Sequence, residues 1–253
     1  GNWLSLAVGA TTQSVNTGQT LSFRGELTPT SSAGIGKFTI SKKCNLEGNC
    51  MSMLFGDSAA NNTSLSGKDY AFYNLFKSCT KIVCVSENFL PATILASSCY
   101  CYMFNGCNSL TTAPELPATT LADSCYADMF NGCNSLTTAP ELPATLLAYK
   151  CYYFMFFGCS NLTTAPELLA TTLASSCYFW MFQNCSKLNY IKMLATDISA
   201  SNCLTNWVYN VASTGTFVKD PNMTSLPTGA AGIPEGWTVK NYGYGDMSGG
   251  SDH

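Results

Sequence analysis

Cys99, Cys125, Cys151, Cys177 and Cys203 recur with a constant 26-residue period, and Cys107, Cys133, Cys159 and Cys185 keep the same interval. Tyr100, Tyr126, Tyr152 and Tyr178 share that register, as do Phe104, Phe130, Phe156 and Phe182, and then Leu110, Leu136, Leu162 and Leu188. Residues 103–122 differ from residues 129–148 at one position, Thr120 against Leu146. A fixed period of roughly 20–50 residues marks a chain whose units bury their apolar sides only against their neighbours. Propeller blades need about 40–45 residues and several strands, so a shorter period points to a solenoid.

Within one unit Cys99, Met103 and Cys107 sit four apart, with Tyr100 and Phe104 beside them. That spacing predicts a short helix, closed where Gly106 tolerates a left-handed backbone. Leu110, Ala113 and Leu116 follow at intervals of three, with Thr111 and Thr112 between. This predicts a short strand, hydrogen-bonded in parallel to its equivalents in adjacent units. Pro114 and Pro117 have no N–H to donate, which holds such a strand to about three residues. The expected fold class is α/β: a leucine-rich-repeat solenoid of 26-residue repeats, each with a short parallel strand and a short helix.

The ends of the array diverge, as capping units do. Phe76 and Cys79 repeat the spacing of Phe104 and Cys107 but lie one period and two further positions upstream, which implies a two-residue insertion near residues 85–89. Leu46, Cys50 and Phe55 reproduce the offsets of Leu95, Cys99 and Phe104 and suggest a half-repeat. Residues 3–8 and 19–27 alternate around Asn16-Thr17-Gly18 and read as a β-hairpin. Residues 215–218 and 236–239 read as capping strands, and residues 243–253 as a Gly/Ser/Asp-rich tail or linker. The expected division is an N-terminal hairpin segment (1–30), a cap or half-repeat (31–70), the repeat array (71–210), a β C-terminal cap (211–242) and the tail (243–253).

Composition narrows the functions open to such a chain. Charged residues make up 11% and the net charge is −3, so the basic patch a nucleic-acid binder needs is missing. His253 is the only histidine, which leaves no His-based acid/base pair and no His-completed zinc set. No apolar run reaches the ~18 residues of a membrane span. No nucleophile, base and orienting group can be assembled, so the chain reads as no enzyme, and no cofactor is implied. Of the 14 cysteines, Cys99 and Cys107 would lie ~12 Å apart on one helix, beyond bridging distance. The ladders therefore read as buried, reduced thiols. Cys44, Cys84 and Cys101 stand outside both ladders, and any disulfide should involve one of them.

The informative positions are those where the copies disagree. With Cys99, Tyr100, Met103, Phe104 and Cys107 inward, positions 98, 101, 102 and 105 should face out. The later copies place Lys150, Tyr153, Phe154 and Phe157, then Ser176, Phe179, Trp180 and Gln183 there. The copy before them manages with Ser124, Ala127, Asp128 and Asn131. Adjacent outward aromatics make a patch that soluble monomers avoid unless it binds something, though the same rings could simply widen the core. Tyr153, Phe154, Phe157, Phe179 and Trp180 are the candidate binding residues, for a glycan, a protein or a second copy of the chain. The exposed threonines of the strand side, Thr111, Thr112, Thr137, Thr138, Thr163 and Thr164, are the competing surface. Glu115, Glu141 and Glu167 form an acidic column, too sparse to read as a calcium site.

The unit C-Y-x-x-M-F-x-G-C-x-x-L-T-T-A-P-E-L-P-A-T-T-L-A resembles the repeats of BspA-like leucine-rich-repeat surface proteins of gut and oral anaerobic bacteria. Residues 27–30, 67–72 and 232–239 are similar to the segments that flank such arrays. The resemblance implies an exported protein of the cell surface, adhering to a protein or glycan of a host or neighbouring cell, with no catalytic residue to carry over. It also implies an anaerobic habitat with little pressure to oxidise the thiols, and a bacterial source that makes the glycosylation sequons at Asn62, Asn161 and Asn222 incidental. The chain opens at Gly1 with no signal peptide and reads as a mature or trimmed form. The expected function is a non-catalytic binding or adhesion module. The alternative is an architectural spacer or stalk, of an envelope or a phage fibre, with no ligand of its own.

Overall fold

The computed structural model describes residues 22–23, 25–29 and 34–243. Apart from residues 22–23 and 25–27, the expected N-terminal hairpin lies outside the described residues, as does the tail from residue 244 onward, including His253.

Proline decides where strands form. Near the N-terminal end β1 (Cys44–Leu46) pairs in parallel with β2 (Ile82–Val85). In the copies that carry Pro114 and Pro117, then Pro140 and Pro143, pairing shrinks to isolated parallel bridges, Cys84 with Thr112 and Thr112 with Thr138. Each proline removes a ladder donor, so these strands cannot lengthen. The prolines then fall away, and β3 (Tyr190–Met193), β4 (Thr216–Lys219) and β5 (Thr238–Asn241) form a three-stranded parallel sheet. The two capping strands expected around residues 215–218 and 236–239 are thus present as β4 and β5. The architecture is α/β with short strands in parallel sheets and few helical residues. Among the described residues the one α-helix is α1 (Ser52–Phe55), followed by a 3-10 segment Gly56–Asn61.

The helix expected in each repeat does not form. Residues 97–107 are a run of linked turns. The N–H groups of Cys99, Cys101, Met103, Asn105 and Cys107 each donate to the carbonyl three positions back. Those of Ser98, Tyr100, Tyr102, Phe104 and Gly106 instead donate into the next coil, one position short of a full period ahead, to Asp123, Cys125, Ala127, Met129 and Asn131. The pattern repeats from residues 124, 150 and 176. Every fourth residue takes a positive φ, as at Ser98 (52°), Tyr102 (58°) and Gly106 (74°). A helix would satisfy these donors internally and turn its side chains by about 40° every four residues. The turn ladder keeps a strict four-residue step, so Cys99, Met103 and Cys107 stay in one column, and it ties each coil to the next on this side as the strands do on the other.

The N-terminal unit also has a different register from the one its offsets suggest. Leu46 pairs with Val85 rather than standing in the place of Leu95. That place belongs to Leu65, whose N–H donates to Ile94 as Leu95 donates to Thr120. Residues 25–27 run beside α1, with the Gly25 and Leu27 N–H groups donating to Ser52 and Met53.

Two aromatic columns fill the core. Phe72, Tyr100, Tyr126, Tyr152 and Tyr178 stack at 5.6–6.1 Å between centroids. Phe76, Phe104, Phe130, Phe156 and Phe182 stack at 5.6–5.8 Å. Both columns end on Trp207, which lies 6.2 Å from Tyr178 and 6.1 Å from Phe182. Its indole N–H donates to the Gly232 carbonyl at 2.9 Å, so the 227–237 segment closes that end.

Candidate functional site

On the outer side of the turn ladder, Tyr153, Phe154, Phe157, Phe179 and Trp180 come together across two adjacent coils. Phe154 is the hub, 4.5 Å from Tyr153, 5.5 Å from Phe157, 5.8 Å from Phe179 and 4.8 Å from Trp180. Tyr153 stacks on Phe179 at 5.0 Å, repeating the coil-to-coil stacking of the core rings one layer further out. Each of the five is half-buried, because each covers part of its neighbours. The patch expected from the sequence is continuous, carried on turns rather than helices.

The positions beside it are less exposed than the alternation predicts. Ser98, Cys101, Ala127, Asp128 and Ser176 are buried. The small side chains among them are shaded by longer ones from adjacent coils. Asn131 donates to the Asp128 carboxylate at 2.7 Å, and Tyr102 also bonds to it. Burial pushes the Asp128 carboxyl above the usual range, against the opposing pull of Asn131, Tyr102 and Lys77. Lys150 lies 5.0 Å from the ring centroids of both Tyr149 and Tyr153. Tyr149, nearly half exposed, and Tyr102 extend the aromatic surface. Tyr102 occupies one of the expected outward positions, in the first copy, whereas Tyr149 falls outside them and so went unrecognised in the sequence.

Backbone conformation adds a feature of the same surface. One column of left-handed residues runs Asn74, Tyr102, Asp128, Phe154, Trp180 and Asn206. Asn and Asp tolerate this conformation, whereas a bulky aromatic there is an outlier. Tyr102 (φ 58°), Phe154 (φ 54°) and Trp180 (φ 55°) hold it nonetheless. Two polar atoms in the same place, Trp180 Nε1 and Gln183 Oε1, are buried without a hydrogen-bond partner among the described residues.

The ladder cysteines are inert by contrast. All 14 are free thiols, including Cys44, Cys84 and Cys101, and the two ladders are buried. Cys107, Cys133, Cys159 and Cys185 donate S–H to the carbonyls of Phe76, Phe104, Phe130 and Phe156 at 3.0–3.2 Å. Burial pushes Cys107 and Cys159 up to about 12, so neither is a thiolate nucleophile near neutrality. On the strand side Thr111, Thr112, Thr137, Thr138, Thr163 and Thr164 are exposed, as are Glu115, Glu141 and Glu167. Among the described residues no three His, Cys, Asp or Glu side chains converge as metal ligands, and no helix is long and apolar enough to cross a membrane.

The fold and the patch together define a stack of parallel 26-residue coils with an aromatic outer surface. Comparison with protein-family models, curated proteins and solved structures finds no match to this chain.

Proposed function

We propose that the chain is a leucine-rich-repeat solenoid of the BspA-like kind, serving as an exported, non-catalytic binding module of the cell surface. Its partner, a protein or glycan of another cell, docks on the turn face with Phe154 and Trp180 as anchors. The observation that carries this reading is the continuous cluster of five rings across two coils, in which Phe154 and Trp180 also hold left-handed positions. Such a conformation costs an L-residue about 1–2 kcal/mol, and Asn74 and Asn206 occupy the same column without a ring. Broad, rigid rings repay that strain as contact area for sugars and proteins alike.

The test replaces both anchors by asparagine, which stands at the two ends of the column, Phe154→Asn with Trp180→Asn. Asparagine is chosen over alanine because alanine would keep the backbone strain. Binding is measured against arrays of glycans and host-matrix proteins. The double variant should stay folded and lose about 30-fold in affinity, equivalent to about 2 kcal/mol for a hot-spot pair. It should be far less destabilised than Phe156→Ala, which removes a fully buried ring at a cost of about 3–5 kcal/mol. Absence of any saturable binding by the native chain would instead support the spacer reading. Destabilisation equal to that of Phe156→Ala would make the rings core.

A further inference from the structure

The strand side carries a separate feature. Its outward row begins Glu115, Glu141, Glu167 and then changes sign. Leu168 bridges to Met193, which brings Glu167 beside Lys192, and the sheet register continues the row through Val218 to Lys240. Lys192 Nζ donates to Glu167 Oε1 at 3.0 Å and lies 4.3 Å from the centroid of the Tyr242 ring, so this ammonium is already held. Lys240, two strands away, is exposed and has no ionic partner among the described residues. Between them lies a concavity of about 300 Å³. Tyr190 stands where the earlier coils have Thr112, Thr138 and Thr164, and with Tyr242 it lines the concavity, together with Val218 and Thr216.

We propose that this pocket binds a sugar acid, a pyranose bearing a carboxylate. The carboxylate pairs with Lys240, whose charge is uncommitted. The apolar face of the ring lies against Tyr190 and Tyr242, over the buried Val218, and ring hydroxyls donate to Glu167 and exchange hydrogen bonds with Thr216. Each alternative fits the lining less well. A neutral sugar accepts hydrogen bonds from Lys240 but leaves its charge uncompensated. A simple aliphatic acid has no hydroxyl for Glu167, and a phosphate dianion meets about twice the repulsion from that carboxylate that a monoanion does. The volume sits at the lower limit of small-ligand pockets, about 300 Å³, which suits one sugar unit. The site is distinct from the aromatic turn face and does not depend on it.

Titration of the isotopically labelled protein with glucuronate, methyl glucoside and acetate, followed by NMR, tests this. Glucuronate should saturate with a Kd of about 1 mM or below, and shifts should be confined to residues 167, 190–192, 216–218 and 240–242. Lys240 is exposed, so Lys240→Gln keeps the fold; it should weaken glucuronate binding about tenfold, as should raised salt, through loss of one charge-assisted contact. The Phe154→Asn/Trp180→Asn variant should bind glucuronate unchanged, which separates this site from the turn-face reading. Three outcomes overturn the proposal: no saturation by glucuronate, equal binding of methyl glucoside or acetate, or no effect of Lys240→Gln.

Discussion

Cys107, Cys133, Cys159 and Cys185 are small enough to lie against the core and still have one proton to donate. The carbonyl that receives it is already bonded: Phe104 accepts from the Cys107 N–H at 3.0 Å and from Cys133 Sγ at 3.2 Å. In the other ladder Cys203 donates to Ile198, but Cys99, Cys125, Cys151 and Cys177 donate to no carbonyl among the described residues; Cys125 instead has backbone groups of Ala122 and Tyr126 against its sulfur, and burial pushes it up to about 12. The two ladders should therefore respond differently to serine. Cys133→Ser places a hydroxyl beside an acceptor and should cost about 1 kcal/mol, whereas Cys125→Ser buries a hydroxyl whose proton has no acceptor, at about 1–3 kcal/mol. Urea unfolding of the two variants checks this ranking, and equal losses would mean the S–H···O bonds do nothing for stability.

The repeated element is a turn ladder, and its stability rests on residues that accept positive φ. Gly106, Gly132 and Gly158 are succeeded in the later coils by Asn184 (63°) and Asn210 (59°). A Cβ on Gly132 would meet only the Gly106 backbone, at an ordinary 3.7 Å, so space is not the constraint. Conformation is. Gly132→Ala should destabilise by about 1–2 kcal/mol, and Gly132→Asn by less, since asparagine visits this region readily. Thermal unfolding should rank asparagine above alanine; the reverse order would show that the left-handed backbone is dispensable there. The strand side obeys the opposite constraint, lengthening only where proline is absent, which is why β3, β4 and β5 cluster at one end.

Across the whole molecule each coil bonds mainly to its two neighbours, on both sides, through equivalent residues. Removing one full period should therefore shorten the stack without disturbing it. Deleting residues 103–128 joins Tyr102 to Met129, which is the sequence step the array already makes from Asp128 to Met129. That variant should unfold cooperatively, with a melting temperature lowered by only a few degrees. Deleting residues 103–115 instead would set inward residues against outward ones and should give a chain with no cooperative transition. Circular dichroism on heating distinguishes the two, and loss of cooperativity in the full-period deletion would show that the ends interact beyond their neighbours.

The period, the inward residues and the capping strands were legible in the chain, because identical side chains at a fixed interval can bury themselves only by stacking. Tyr100 over Tyr126 and Phe104 over Phe130 need no more information than that. The grouping of Tyr153, Phe154, Phe157, Phe179 and Trp180 was legible for the same reason. The conformation of residues 97–107 was not. A four-residue recurrence fits a helix and a turn ladder equally well over so short a stretch, and what separates them is where alternate N–H groups find acceptors. Those acceptors lie almost a full period along the chain and exist only once the next coil is in place. Likewise Leu46 mimics Leu95 in its offsets yet pairs with Val85, and Lys192, Val218 and Lys240 meet only through the register of three strands. Side-chain burial follows from periodicity along one chain, whereas hydrogen-bond partners between coils follow from their position in space.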